Sequence, residues 1–367
     1  MNAKKIAFII CVNNELYYEE CAWYINQIGI PEGYETDIIC ITEAESMTMA
    51  YNAAMESSDA KYKVYLHQDV FIYNRNFIED VVRIFESDSN LGMIGVIGGR
   101  KLPADADIWD FWDCGCAYGC NSNSAFPITL YQKEAEPYIE VEAIDGMLMV
   151  TQYDMKWRED LNLGWDFYDI SQSLEFRRNH YKVGVPFQKE PWCMHDCGYS
   201  KLNNYDAARE KVLFEYRDFF TQSYTAHYNL ELLSLEEQIF QQIRQLMEQG
   251  DWKSACQIAT MVRERQISNT NLQYALNILE ILEAEQKQTI SVGFADALQK
   301  WEEIKGKYDE IKFLLRHAER GTREEQVEML KEMLGTGAVS KSAAIVIINH
   351  TIVDIHAAAR RVMPELF

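Results

Sequence analysis

The chain has 367 residues, 35 basic against 57 acidic side chains, and a formal charge of −22, with 48% apolar and 12% aromatic content. Its length corresponds to about two domains, each able to bury a core, and the acid excess excludes a broad basic face for nucleic acid. The apolar content excludes a disordered chain, and no run approaches the ~18 unbroken apolar residues of a membrane span.

Two lysines followed by Ile6–Val12 imitate the start of a signal peptide, but Asn13-Asn14-Glu15 follows without a small-residue cleavage pattern. A first buried strand is predicted instead, and with it a cytoplasmic protein. Nine cysteines, an odd number, then read as reduced thiols. Leu16–Ile28 is predicted as a helix and Asp37–Thr42 as a second strand. Ser46 caps a helix running through Met55, with Met47, Ala50, Tyr51 and Ala54 at helical spacing. Tyr62–Leu66 is a third strand entering His67-Gln68-Asp69, Phe77–Phe85 is helical, and Leu91–Ile97 is again a strand. This rhythm predicts an α/β fold with a mostly parallel, doubly wound sheet, whose ligand sites lie beyond the carboxyl ends of strands. Asp69 falls at such an end.

Gly98–Tyr138 is rich in Gly, Asp, Trp and Cys and reads as a long loop forming a lid or binding wall. Glu140–Gln152 resumes a strand interrupted by Asp145-Gly146, Phe167–Asn179 is helical, and Tyr181–Phe187 is a short strand. Six of seven prolines lie at or before Pro191 and none recurs until Pro364, so the second part can be almost entirely helical. Leu230–Gln249, Lys253–Arg265, Leu272–Gln286 and Arg323–Leu334 each carry an apolar stripe, with turns at Gly250-Asp251 and Gly335-Thr336-Gly337. The expected division is 1–215 for the α/β domain and 216–367 for an all-α domain, with the junction near 205–225. Gly250-Asp251-Trp252 with Ala255, Asn271 and Ala275 resembles a tetratricopeptide-type helical pair, although an irregular bundle fits equally well. Such a domain would be a stabilising or homodimerising appendage, or a concave surface for a protein acceptor.

Three segments carry candidate chemistry. An apolar strand ending in Asp69 suits a divalent ion that neutralises a diphosphate, although a turn or helix cap would use the same residue. Asp166 and Asp169 share one face at a helix start, as a cap and dipole partner or as a general base. His195, in the irregular segment Pro191-Trp192-Cys193-Met194-His195-Asp196-Cys197-Gly198, offers an imidazole to the same metal as Asp69. Trp109 and Trp112, in Trp109-Asp110-Phe111-Trp112-Asp113, either stack on the rings of a ligand, which the resemblance below implies to be an acceptor sugar, or pack within the loop. A competing reading gathers Cys114, Cys116, Cys120, Cys193, His195 and Cys197 around a structural Zn2+.

These features, in this order, resemble the family 2 glycosyltransferases of the GT-A fold, over roughly residues 4–200. The branch it most resembles writes the Asp-x-Asp metal motif with only its last acid, as in His67-Gln68-Asp69. Asn13 after the first strand looks like the family's nucleotide-binding start. Tyr51-Asn52-Ala53-Ala54 resembles the segment whose Asn lies near the donor, and Gln68 joins the same set. Counting back from His180-Tyr181-Lys182-Val183 puts Asp169 at the catalytic Glu-Asp position, with Tyr168 in place of the Glu, and His195 matches the late metal-ligand His. Asp145 lies where the family places an acceptor-side strand break. The resemblance implies Mn2+ or Mg2+ held by Asp69 and His195, a nucleotide-diphosphate sugar donor, a UDP-sugar first, and inverting transfer with Asp169 as base. Asp166 is the alternative base. The acceptor would be a glycan, a lipid-linked molecule or a protein. The missing first acid also admits a degenerate, transferase-like scaffold that binds protein partners through its helical domain.

Overall fold

Five successive residues, Ile6–Ile10, are buried to 1% or less, which requires a strand covered on both faces and explains its unbroken apolar run. This strand opens the first unit of a computed structural model. The structure describes residues 1–108, 111–120, 125–134, 136–196, 204–220, 230–262, 267, 269–285, 294–316, 322–349, 351 and 353–366.

In chain order the first unit runs β1 (Asn2–Val12), α1 (Glu15–Asn26), β2 (Glu35–Thr42), α2 (Met47–Ser57), β3 (Ala60–His67), β4 (Val70–Ile72) and α3 (Phe77–Ser87). It continues through β5 (Leu91–Gly95), β6 (Ile97–Gly99), β7 (Cys114–Cys120), β8 (Ala125–Thr129), β9 (Tyr138–Val141), β10 (Ala143–Ile144) and β11 (Leu148–Thr151). A 3-10 turn at Glu159–Leu161, α4 (Tyr168–Arg178), β12 (Lys182–Pro186), β13 (Cys193–His195) and α5 (Tyr205–Glu215) complete it. The predicted Ser46 cap forms, accepting the Met49 N–H, and Asn14, not expected as a cap, accepts the Leu16 and Tyr17 N–H groups at the start of α1.

The main sheet has the order β2-β1-β3-β11-β5-β12-β9. β1 runs parallel to β2 and β3, and β12 runs parallel to β5. β11 and β9 enter antiparallel, while β2, β1, β3, β5 and β12 all run the same way, so the sheet is mostly parallel with two reversed strands. The cause is the segment predicted as one interrupted strand. It breaks into β9 in the main sheet, β10 against β6 in a second sheet, and β11 folded back between β3 and β5. Leu91–Ile97 likewise splits, because β5 and β6 belong to different sheets. The predicted long loop contains β7, whose Cys-, Gly- and Ala-rich composition gives no β-branched signal, and β8, which is interrupted by Pro127. At Gly115 the backbone takes φ +105°, and a Cβ would stand 2.1 Å from the Val96 carbonyl oxygen, so only glycine fits that crossing.

Each face of the main sheet has its own core. Phe8 and Phe77 pack on the side of α1 and α3. Ile9, Tyr51, Tyr65, Trp157 and Tyr168 form an aromatic cluster on the side of α2 and α4. A further cluster, including Phe111, Phe167, Ile170 and Val212, packs beneath α4 and α5.

The described part of the second unit runs from Leu230 to Leu366. Its helices are α6 (Leu230–Glu248), α7 (Trp252–Val262), α8 (Thr270–Ala284), α9 (Phe294–Arg316), α10 (Arg323–Gly335), α11 (Lys341–Asn349) and α12 (Val353–Val362). They share one apolar core that includes Ile243, Leu279, Leu315 and Ile355. Gly250 and Gly337 take φ of +74° and +73°, ending α6 and α10 as the turn signals predicted. Thr322 and Glu325 form a capping box on α10. No described helix is long and apolar enough to cross a membrane.

Candidate active site

β1 and β3 are adjacent and parallel, so their carboxyl ends lie side by side. Gln68, just past β3, joins them. Its Oε1 accepts the main-chain N–H groups of Asn13 and Asn14, both at 2.9 Å, and its Nε2 donates to Asn13 Oδ1. Gln68 and Asn13 therefore meet as placed by the sequence, holding the mouth of the sheet.

The same turn brings three metal-type donors together. His67, Asp69 and His195 each offer one ligand atom, all within 4.8 Å of one another, and each residue is half-buried. His67 Nδ1 lies 3.3 Å from His195 Nε2, which lies 3.5 Å from Asp69 Oδ1. β13 pairs antiparallel with β4, with His195 opposite Val70, so pairing register sets the His195 ring beside the turn. Burial pushes the Asp69 carboxyl up, but the neighbouring His195 and His67 outweigh it and hold the carboxyl below its ordinary value. Burial likewise pushes His195 down, and Asp69 reverses the direction, so that ring is raised. His67 is lowered, by burial first and by His195 second.

Asp69 and His195 thus come together as expected, and His67 was missed as a possible ligand. A strand-terminal residue reads as core, and the sequence does not show that the turn at Gln68-Asp69 brings Asp69 back beside the last residue of β3.

Asp169, in the first turn of α4, is 8% exposed. Its Oδ2 accepts the Gly146 N–H at 2.8 Å and its Oδ1 accepts that of Ile170 at 2.8 Å. Burial, with the Asp145 charge second, pushes this carboxyl up to about 7, the range a general base uses. Asp166 is less enclosed and is raised by burial alone. The turn Asp145-Gly146-Met147 connects Asp169 with the His67 cluster. Gly146 holds Asp169, while the Met147 carbonyl accepts the His67 N–H at 3.2 Å. Asp145 Oδ1 accepts the Met147 N–H at 2.8 Å, which shapes that turn.

Asn52 is buried, and its amide is occupied. It accepts from Trp157 N–H at 2.8 Å and donates to the Trp157 carbonyl at 2.9 Å and to Glu159 Oε1. It pins the segment before α4 onto α2. Trp112 is half-buried, with its ring 5.0 Å from that of Phe111. Asp113 pairs with Arg100 at 3.0 Å, while Trp109 and Asp110 lie outside the described residues.

The thiols of Cys114 and Cys116 are buried, which pushes each up to about 11. Among the described residues the only His/Cys/Asp/Glu group with ligand spacing is His67, Asp69 and His195, so His195 faces Asp69 and not a thiol cluster. The Cys120 side chain and Cys197 lie outside the described residues.

Residues 7–216 match the model of the "Glycosyltransferase like family", more than half of the chain. No curated protein matches. Among solved structures, the chain is similar to the mannosyltransferase PcManGT from Pyrobaculum calidifontis in complex with GDP-Man and Mn2+, at 11% identity and TM-score 0.31, covering 98% of this chain and 87% of that one. It is also similar to S. aureus TarS 1-349 in complex with UDP, at 13% identity and TM-score 0.35, covering 77% and 92%. A third is GalNAc-T7 with UDP, GalNAc and Mn2+, at 12% identity and TM-score 0.36, covering 65% and 54%.

Proposed function

Because the chain belongs to the glycosyltransferase-like family, we propose that it is a metal-dependent, inverting glycosyltransferase whose donor is a nucleotide-diphosphate sugar, with a UDP-sugar as first candidate. One observation carries this reading. The buried Asp169 and the His67–Asp69–His195 cluster are bonded to the same short turn, Asp145-Gly146-Met147, beside the carboxyl ends of β1 and β3.

The donor set fits a divalent cation. Two imidazole nitrogens and one carboxylate oxygen converge within 4.8 Å, and they suit Mn2+ better than Mg2+, which prefers oxygen ligands. Bound there by His67, Asp69 and His195, such an ion supplies Lewis-acid stabilisation of the negative charge on a leaving diphosphate. In a chain with a formal charge of −22, that local positive charge is what allows an anionic donor to approach.

The chain's own residues do the rest. Asp169, ionised, takes the proton of an acceptor hydroxyl, and the oxygen attacks the anomeric carbon on the face opposite the departing diphosphate. The Gly146 and Ile170 N–H groups hold the carboxylate in place for that transfer. Asp166 is the second candidate for the base. Gln68 and Asn13 keep the donor edge of the sheet in register, and Asn52 acts at one remove by fixing the segment that leads into α4. Asp145 and Trp112 are proposed on the acceptor side, with Trp109.

Exchanging Asp169 for Asn tests the reading. Transfer should fall by about 10²–10⁴-fold, as when a general base is lost, while the Kd for nucleoside diphosphate with Mn2+ stays within twofold. Full activity in that variant would end the assignment.

A further inference from the structure

Tyr168 is fully enclosed in the aromatic cluster, with its ring 6.0 Å from Tyr51 and 6.3 Å from Trp157. Its hydroxyl is nevertheless not wasted on the core: it meets His67 Nε2 in a short hydrogen bond. The opposite nitrogen of the same ring, Nδ1, faces His195. The route to His67 exists because residue 146 is glycine, since a Cβ there would lie 2.2 Å from the Tyr168 hydroxyl oxygen. The backbone N–H of that same glycine holds Asp169.

We propose that Tyr168 is a positioning residue that fixes the His67 imidazole with Nδ1 turned toward Asp69 and His195 for a divalent cation, the phenol reaching it across the gap left by Gly146. The proposal rests on the metal reading above. An imidazole can ligate only through a nitrogen that carries no proton, so the partner of the other nitrogen decides whether it is ready. When Nε2–H donates to the Tyr168 oxygen, the Nδ1 lone pair is free toward the cluster. A phenol can also donate, so in the metal-free chain the bond can reverse, with Nδ1–H then facing His195 Nε2. Tyrosine thus holds the ring in both situations, and phenylalanine would hold it in neither. Because Tyr168 and Asp169 are consecutive on α4, the metal ligand and the base are set by one helical turn.

Tyr168→Phe retains the ring and its packing, which preserves the fold. Calorimetric titration of the full chain with MnCl2, without nucleotide, should show Mn2+ binding weakened by about 10- to 100-fold, the usual effect of losing a ligand's hydrogen-bond partner. In the metal-free chain, 15N–1H correlation of the histidine rings should show the His67 proton distribution changing in the variant, while the melting temperature stays within about 2 °C. Gly146→Ala, which pushes the phenol aside without deleting it, should reproduce both changes. Unchanged Mn2+ affinity in Tyr168→Phe would overturn the role of Tyr168, as would weakened affinity with an unaltered His67 ring pattern. If the unsubstituted chain binds no Mn2+, the metal reading itself falls and this proposal falls with it.

Discussion

Asp169 combines a buried carboxyl with a proposed role as base that needs it ionised, and the two demands respond to pH in opposite directions. As a base it works only once its proton is gone, so the transfer rate should rise with pH through about 7 and level off above. Folding favours the neutral form, because the folded-state value lies above the ordinary 3.8. The stability this confers is complete below about pH 4 and is lost as pH rises through about 7. A pH–rate profile checks the first, and melting temperature against pH, compared with Asp169→Asn, checks the second: the difference between the two proteins should change across pH 4–8. Asn52 makes a different prediction. Asn52→Ala leaves the buried Trp157 N–H and carbonyl without their partner, which should destabilise the chain by ~2 kcal/mol or more in denaturant titration. The sequence shows Asn52 and Asp169 as candidates, but not their partners. Nothing local to Asn52 announces Trp157, 105 positions away, because the pair depends on how the segment before α4 folds back.

At the level of elements, β1, β3, α2 and α4 were readable from apolar spacing and caps, and with them the placing of Asp69 and Asp169. Loss of the Ser46 hydroxyl tests one such signal: Ser46→Ala should cost about 1 kcal/mol in unfolding free energy, since the Met49 N–H loses its acceptor. The misread elements share a cause. β6, β10 and β11 are short, and glycine-bearing β6 and β7 lie in a second sheet that no two-residue periodicity distinguishes from loop. In the first sheet, β11 and β9 are the two strands that run against the rest. Gly115 marks the crossing, and Gly115→Ala should lower the melting temperature clearly, because a left-handed residue costs ~1–2 kcal/mol before the collision with the Val96 carbonyl is counted. Phe167 is a comparable case at the entry to α4. It takes φ +58° with its ring buried, so the turn that aims Tyr168 and Asp169 is held by packing rather than by glycine. No sequence rule predicts a left-handed phenylalanine.

At the scale of the molecule, the acid surplus acquires a specific consequence. With 57 acidic against 35 basic side chains, the chain as a whole repels the anionic donor proposed for it, and a local cation would offset that. His67, Asp69 and His195 are where the described structure can place one. The dependence of catalysis on that site is the claim on which the account stands. Its most direct test is release of nucleoside diphosphate from a panel of UDP- and GDP-sugars, measured with MnCl2, with EDTA, and with Asp69→Asn in MnCl2. The account predicts release from at least one donor that requires Mn2+ and is lost in EDTA and in Asp69→Asn. Release at the same rate in EDTA, or in Asp69→Asn, would contradict it.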